Sequence, residues 1–254
     1  MCFTCKMHTQ LKYTVFTLFI SAFLGQNLNA QKGILTFGLQ YKPMLPVEFI
    51  NAGDDVQTEG GITYTNTQNY GYVGGGIIRY GITDYLALET GITFVQRNYT
   101  LNIDSLDNEF EADLDYRMIG YQIPVTAMVF IQLDRELFMS ASLGGSLDIF
   151  PSDVFSSEDR SDDTDFGRSS FIHETVRYRW LQASVMANLG FEYRVRDIGT
   201  FYLGGSFHLP FSPIYKSKIG YEDVLQPLNT LDLRGTYLTL DLRYYFPDKS
   251  KAGK

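Results

Sequence analysis

The chain has 254 residues, with 23 Gly, 18 Tyr and 19 Phe against 8 Pro and 1 Trp, 44% hydrophobic residues and a formal net charge of -8. That composition favours strands and turns over helices and gives enough apolar surface to bury, which excludes a disordered polymer. The acidic balance argues against nucleic acid as a partner, because that affinity comes largely from Lys and Arg neutralising phosphates, and past the N-terminal region no apolar run reaches the ~18 residues of a membrane-spanning helix.

At the N-terminus, Lys6 and Lys12 precede the apolar run from Tyr13 to Gly25, and a polar segment from Gln26 to Ala30 leads into Gln31. Basic, apolar and small-residue regions in this order form the layout of a secretory signal peptide, so residues 1–30 read as a cleaved export signal. A buried N-terminal helix is the alternative, and Met7 offers a second start. Cys2 and Cys5 lie upstream of the cut, so the mature chain is expected to hold no thiol. It would carry 19 basic and 29 acidic residues, a net charge of -10.

From Gly33 the chain alternates with a period of two, the mark of strands with one apolar face. Leu35, Phe37, Leu39 and Tyr41 share the first such face. Tyr72, Ile78 and Tyr80 oppose Gly71, Gly75 and Arg79 in the second segment, and Leu86, Leu88, Ile92 and Phe94 oppose Glu89, Gly91, Thr93 and Arg97 in the third. The fourth runs from Ile119 to Ile131, the fifth from Leu137 to Ile149, and the sixth from Leu181 to Arg194. Phe201, Leu203, Phe207 and Leu209 form the apolar face of the seventh. Leu238, Leu240, Leu242, Tyr244 and Phe246 close the fold as the eighth, against Tyr237, Thr239, Asp241 and Arg243.

The connections alternate as well. Three are short, around Ile82 to Asp84, Asp134 to Glu136 and Arg196 to Gly199. Four are long and polar: Pro43 to Asn69, Thr100 to Asp115, Phe150 to Thr175 and Pro210 to Leu233. Short turns at one end and long loops at the other describe an all-β, eight-stranded, antiparallel up-and-down transmembrane barrel over residues 31–246, with a polar tail at 247–254. A soluble sandwich or lipocalin-like barrel would show the same periodicity with its apolar face inward. Two features favour lipid: small residues and mixed charges on the polar face, and aromatic residues near the strand ends. Tyr80, Tyr193, Phe201, Tyr244 and Phe246 lie near the short turns, and Tyr41, Tyr72, Tyr121 and Phe211 near the long loops.

The stretch Arg79 to Gly91, the run Tyr121-Gln122-Ile123-Pro124-Val125 and the closing Leu238 to Phe246 together resemble the small outer-membrane β-barrels of Bacteroidota-type bacteria, the porin-family or PorT-like proteins, akin in architecture to OmpA and OmpX barrels. The resemblance implies a bacterial outer-membrane location, outer-membrane lipid and lipopolysaccharide as surroundings, and a terminal strand read by the barrel-assembly machinery as its assembly signal. It implies no catalytic residue.

Arg79 and Glu89 are equidistant from the turn at Asp84 and so should face each other inside the barrel. Glu192, Arg194, Asp241 and Arg243 share their face near the same end, giving a lumen charge network. A selectivity ring or a proton path is the functional reading of these six residues. The structural reading is mutual neutralisation of buried charge, which an eight-stranded interior filled by its own side chains would need. Met128, Tyr202 and Tyr237 add bulk to the same face. His208, with Ser206 and Ser212 nearby, is the candidate base of a lipid-modifying enzyme, but a nucleophile needs its base and orienting acid assembled together, and Ser206-Phe207-His208 lacks the His-x-Ser order of lipid A deacylases. His173 reads as a solvated loop residue. Glu158, Asp159, Asp162, Asp163 and Asp165 before Gly167 fall short of a calcium-loop register, and Asp104-Ser105-Leu106 is similar to a short O-glycosylation tripeptide. The expectation is therefore a barrel with no cofactor, no metal and no catalysis, acting through its loops on a surface ligand or partner protein. A small-solute channel is the alternative, and a lipid-modifying enzyme the more distant one.

Overall fold

A computed structural model of the chain describes residues 33–45, 55–59, 62–105, 111–158, 171–221 and 229–247. The export signal, both cysteines, the acidic stretch from Asp159 to Gly167 and the tail from Asp248 onward lie outside the described residues. The strands in chain order are β1 (Leu35–Leu45), β2 (Asp55–Glu59), β3 (Ile62–Gly81), β4 (Leu86–Ser105), β5 (Glu111–Gln132), β6 (Leu137–Ile149), β7 (Val154–Glu158), β8 (Phe171–Arg177), β9 (Leu181–Val195), β10 (Gly199–Pro210), β11 (Tyr215–Tyr221), β12 (Asn229–Leu233) and β13 (Tyr237–Tyr245).

Eight of these close into a ring. The order β1-β13-β10-β9-β6-β5-β4-β3 is completed by antiparallel pairing of β1 with β3, so every ring strand has two partners and no edge is left. Three tight connections, at 82–85, 133–136 and 196–198, join the hairpins at one end. The last turn needs left-handed backbone, with φ = 66° at Asp197 and 131° at Gly199, where a Cβ would meet the Tyr245 carbonyl oxygen at 2.4 Å.

Burial settles which face points in. Leu39, Tyr41, Leu143, Leu189, Phe191 and Leu203 lie on the outside, while Gln40, Lys42, Arg79, Glu89, Gln122, Glu192 and Asp241 are buried within the ring. A soluble barrel reverses this arrangement, because it must hide its apolar face from water. A barrel in lipid must hide its polar face instead. Two aromatic bands bound the apolar wall. Tyr41, Tyr72, Phe94 and Tyr121 form a chain of rings across four strands, with successive centroids 6.0, 5.9 and 6.0 Å apart. Near the tight turns, Tyr244 lies 5.2 Å from Phe201 and 5.3 Å from Phe246.

The four long connections depart from the expectation of irregular loops. β3, β4 and β5 run 20, 20 and 22 residues, well past the upper aromatic band, and β2 pairs with the extension of β3. The chain after β6 and β10 contributes a second, four-stranded sheet in the order β12-β11-β8-β7. The two sheets enclose an apolar core of Tyr64, Tyr99, Leu101, Ile103, Leu114, Tyr116, Met118, Phe150, Ile214, Tyr215, Leu231 and Leu233. The barrel therefore carries a roof with its own hydrophobic core. His173, expected in a solvated loop, lies in β8 and is fully buried in that roof.

Candidate functional site

The tight turn at 82–85 puts Arg79 directly across from Glu89 in the β3–β4 register, both inward by alternation. Arg79 Nη2 lies 3.2 Å from Glu89 Oε2 and 2.8 Å from Glu192 Oε1. Glu192 Oε2 in turn receives Arg194 at 2.9 Å. On β13, Arg243 contacts Glu89 across the lumen and Asp241 on its own strand. The structure thus brings Arg79, Glu89, Glu192, Arg194, Asp241 and Arg243 into one network.

Two members were not picked out from the sequence. Lys42 Nζ ends the chain 3.1 Å from Asp241, and the Tyr245 hydroxyl donates to Glu89 Oε2 at 2.6 Å. Both are legible in principle, because each continues the inward phase of its strand, Lys42 after Gln40 and Tyr245 after Arg243. The seven charges alternate in sign along a single path: Arg194, Glu192, Arg79, Glu89, Arg243, Asp241, Lys42. Every carboxylate sits between two cations. An isolated buried charge costs several kcal/mol, and this arrangement offsets that cost by giving each anion two partners and further hydrogen bonds, such as Ser206 and Thr239 to Asp241.

Side chains cross the lumen at several levels. Near the tight turns, Arg194 packs between the rings of Phe130 and Phe138, 4.6 and 3.8 Å from their centroids, beside Ala87 and Met128. Tyr202 lies against Gly190 and Gly204, where an added Cβ would meet its ring carbon at 2.7 Å. Above the charge chain, a cavity of about 20 Å³ has space for roughly one water molecule. Higher still, His208 Nε2 is 3.0 Å from Asp148 Oδ2 and 3.0 Å from Gln122 Nε2, with its ring stacked on Tyr237 at 4.5 Å. Arg97 lies over Tyr237 and Phe150 at 5.1 and 5.8 Å, where the lumen meets the roof.

Among the described residues, the two serines near His208 in sequence do not hydrogen-bond to its imidazole. Ser206 donates to Asp241 and Ser212 to Gln182, each turned to a partner other than the imidazole. In the roof, His173 Nε2 is 2.6 Å from Ser217 Oγ and 3.1 Å from Thr175 Oγ1, edge-on to Tyr116 at 4.6 Å. Burial pushes its pKa down to about 4, so it is neutral at pH 7, and burial likewise pushes the Tyr215 phenol up to about 12. Among the described residues no group of three or more His, Cys, Asp or Glu side chains is placed to hold a metal ion. The outward side chains of the terminal strand, Leu238, Leu240, Leu242, Tyr244 and Phe246, stand on the apolar wall, with Leu240, Leu242 and Phe246 the most exposed.

Comparison with known proteins agrees with this geometry. In the solved structure of the outer membrane protein OprG from Pseudomonas aeruginosa, the similarity covers 88% of this chain and 100% of that one, with a TM-score of 0.52 at 13% sequence identity, a likeness of fold. No curated protein matches the sequence. The family model described as outer membrane protein beta-barrel domain matches residues 35–216, from the first ring strand into the roof. That match spans well over half the sequence, so the chain belongs to the outer membrane protein β-barrel domain family, and its place is the bacterial outer membrane.

Proposed function

We propose that this protein is a closed outer-membrane barrel that acts through its roof and outer surface, without passing solutes and without catalysis. The observation that carries the reading is the filled lumen. Between the Phe130–Arg194–Phe138 layer and the roof core, side chains crowd the interior, and the cavity lined by Lys42, Glu89, Gln122 and Arg243 measures about 20 Å³. An eight-stranded ring has an interior about the size of its own side chains. Against catalysis stands His208, held by Asp148 and Gln122, stacked on Tyr237 and buried from both lipid and solvent.

The finer affiliation with PorT-like barrels rests on the Arg79 to Gly91 and Tyr121 to Val125 stretches. Export by the signal at residues 1–30, and recognition of the terminal strand by the barrel-assembly machinery, complete the reading. Planar-bilayer recording of the purified protein tests it. No steady ionic conductance is expected, whereas reproducible conductance steps at single-protein density would replace the closed barrel with the small-solute channel. Mass spectrometry of lipid A from cells with and without His208 addresses the enzyme alternative, and unchanged masses are expected.

A further inference from the structure

The outer face of the β3–β4–β5 extension changes character just above the ring chain of Tyr72, Phe94 and Tyr121. Gln96, Asn98, Thr100 and Asn102 follow Phe94 outward along β4, and Arg117, Asp115 and Asp113 follow Tyr121 along β5. Apolar wall gives way to amides, hydroxyls and carboxylates directly after Phe94 on β4 and after Ile119 on β5. At this level β3 carries a bulge: Asn69 pairs with Asn98 and Tyr72 with Gln96, leaving one extra residue on β3. Bulges re-aim side chains, and this one turns Tyr70 out to 71% exposure. Beside it opens a concavity of about 420 Å³ lined by Asn69, Asn98, Tyr99, Asp115, Tyr116 and Arg117. Small-ligand sites span roughly 300–1,000 Å³.

The amides and the hydroxyl there are held by one another before any ligand arrives. Asn98 donates to the Tyr70 carbonyl at 2.7 Å and accepts from Gln96 at 3.1 Å, while Asn69 donates to Thr100 at 2.7 Å and Thr100 donates to Asp115 Oδ1. Asp115 Oδ2 and the Arg117 guanidinium are left without a hydrogen-bond or ion-pair partner among the described residues. A free carboxylate oxygen and guanidinium beside hydrogen-bonded amides, with the exposed Tyr70 ring next along the chain from Asn69, match the vicinal hydroxyls and the C–H face of a pyranose. The position selects the source, because the hollow lies directly above the aromatic band, at the level of the head groups of the outer leaflet.

We propose that this bulge-opened groove binds the saccharide head group of an outer-leaflet glycolipid. Asp115 and Asn98 take the sugar hydroxyls, Arg117 donates to ring or hydroxyl oxygens, and the Tyr70 ring lies against the sugar face. The site is on the outer wall, independent of whether the lumen conducts.

The test is calorimetric titration of the detergent-purified full chain with core oligosaccharide released from lipopolysaccharide by mild acid, and separately with inorganic phosphate. The oligosaccharide should give saturable binding and phosphate none. Asp115→Ala, Asn98→Ala and Tyr70→Ala should each weaken oligosaccharide binding roughly tenfold or more, while Asp232→Ala on the opposite sheet leaves it unchanged. Retained heat-modifiable gel mobility shows that each variant still folds. Absence of oligosaccharide binding to the wild-type protein, equal affinity in Asp115→Ala, or binding of phosphate in its place overturns the proposal. None of these results bears on conductance, so the closed-barrel reading stands or falls separately.

Discussion

Glu89 is the residue whose removal should tell most about the lumen, since it accepts from Arg79, Arg243 and Tyr245 at once. Glu89→Ala leaves the buried chain with one more uncompensated cation and should cost about 3–5 kcal/mol, well beyond the ~0–1 kcal/mol of an exposed pair. The double change Arg79→Met with Glu89→Leu removes one charge of each sign. Glu192 then keeps Arg194 and Arg243 keeps Asp241, so much of the loss should be recovered. Unfolding titrations in detergent micelles measure both; equal losses in the single and double variants would contradict a mutually neutralised chain. His173 gives the roof a different sensitivity. Its folded pKa of about 4 lies below the 6.5 of a free imidazole, so as pH falls through that window the unfolded roof takes up a proton that the folded roof refuses. Roof stability should be full above pH 6.5 and drop by about 3 kcal/mol toward pH 4, then level off. Hydrogen exchange of β8 and β11 at pH 7 and pH 4.5 checks this, with a His173→Asn variant expected to lose the difference.

At the scale of the strand, Leu143 and Ser142 are neighbours in β6 with opposite surroundings. Leu143 is 65% exposed on the wall, whereas Ser142 is buried and accepts from Asn188. Leu143→Arg should cost roughly 2–4 kcal/mol near mid-bilayer, because the charge enters hydrocarbon. Ser142→Arg puts its charge into a packed lumen, so its penalty should persist when the protein is moved from bilayers of one thickness to another, while that of Leu143→Arg varies. Reversible urea unfolding in two lipid compositions separates them. The same alternation made the eight ring strands and the Arg79–Glu89 register readable from sequence. The roof went unread because the phase of polarity inverts along strands that do not break. Inward positions of β4 read Glu89, Thr93 and Arg97 in the barrel and then Tyr99, Leu101 and Ile103 in the roof, while the outward ones pass from Leu88, Ile92 and Phe94 to Asn98, Thr100 and Asn102. A reading that follows one apolar face stops at that inversion and takes the remainder for an acidic loop. Long-range contacts such as Arg243 to Glu89, 154 residues apart, had no local signal beyond a shared face.

For the molecule as a whole, the uninterrupted passage of β3, β4 and β5 from barrel to roof dictates an order of biogenesis. On β4 the roof segment reaches eleven residues past Phe94, on the order of 36 Å of strand, and its inward Tyr99, Leu101 and Ile103, already flanked by Tyr64, Leu114 and Tyr116, are covered from above only when Leu231, Leu233 and Tyr215 join the same core. Those partners lie on the connection between β10 and β13, at the end of the ring opposite the tight turns. Until that connection is in place, the core residues of β3, β4 and β5 lack their cover from the second sheet, so the roof can close only after the wall has inserted. Refolding into lipid vesicles should accordingly show protease resistance of the ring strands before that of β8 and β11. Simultaneous protection of both would mean that the roof assembles in transit.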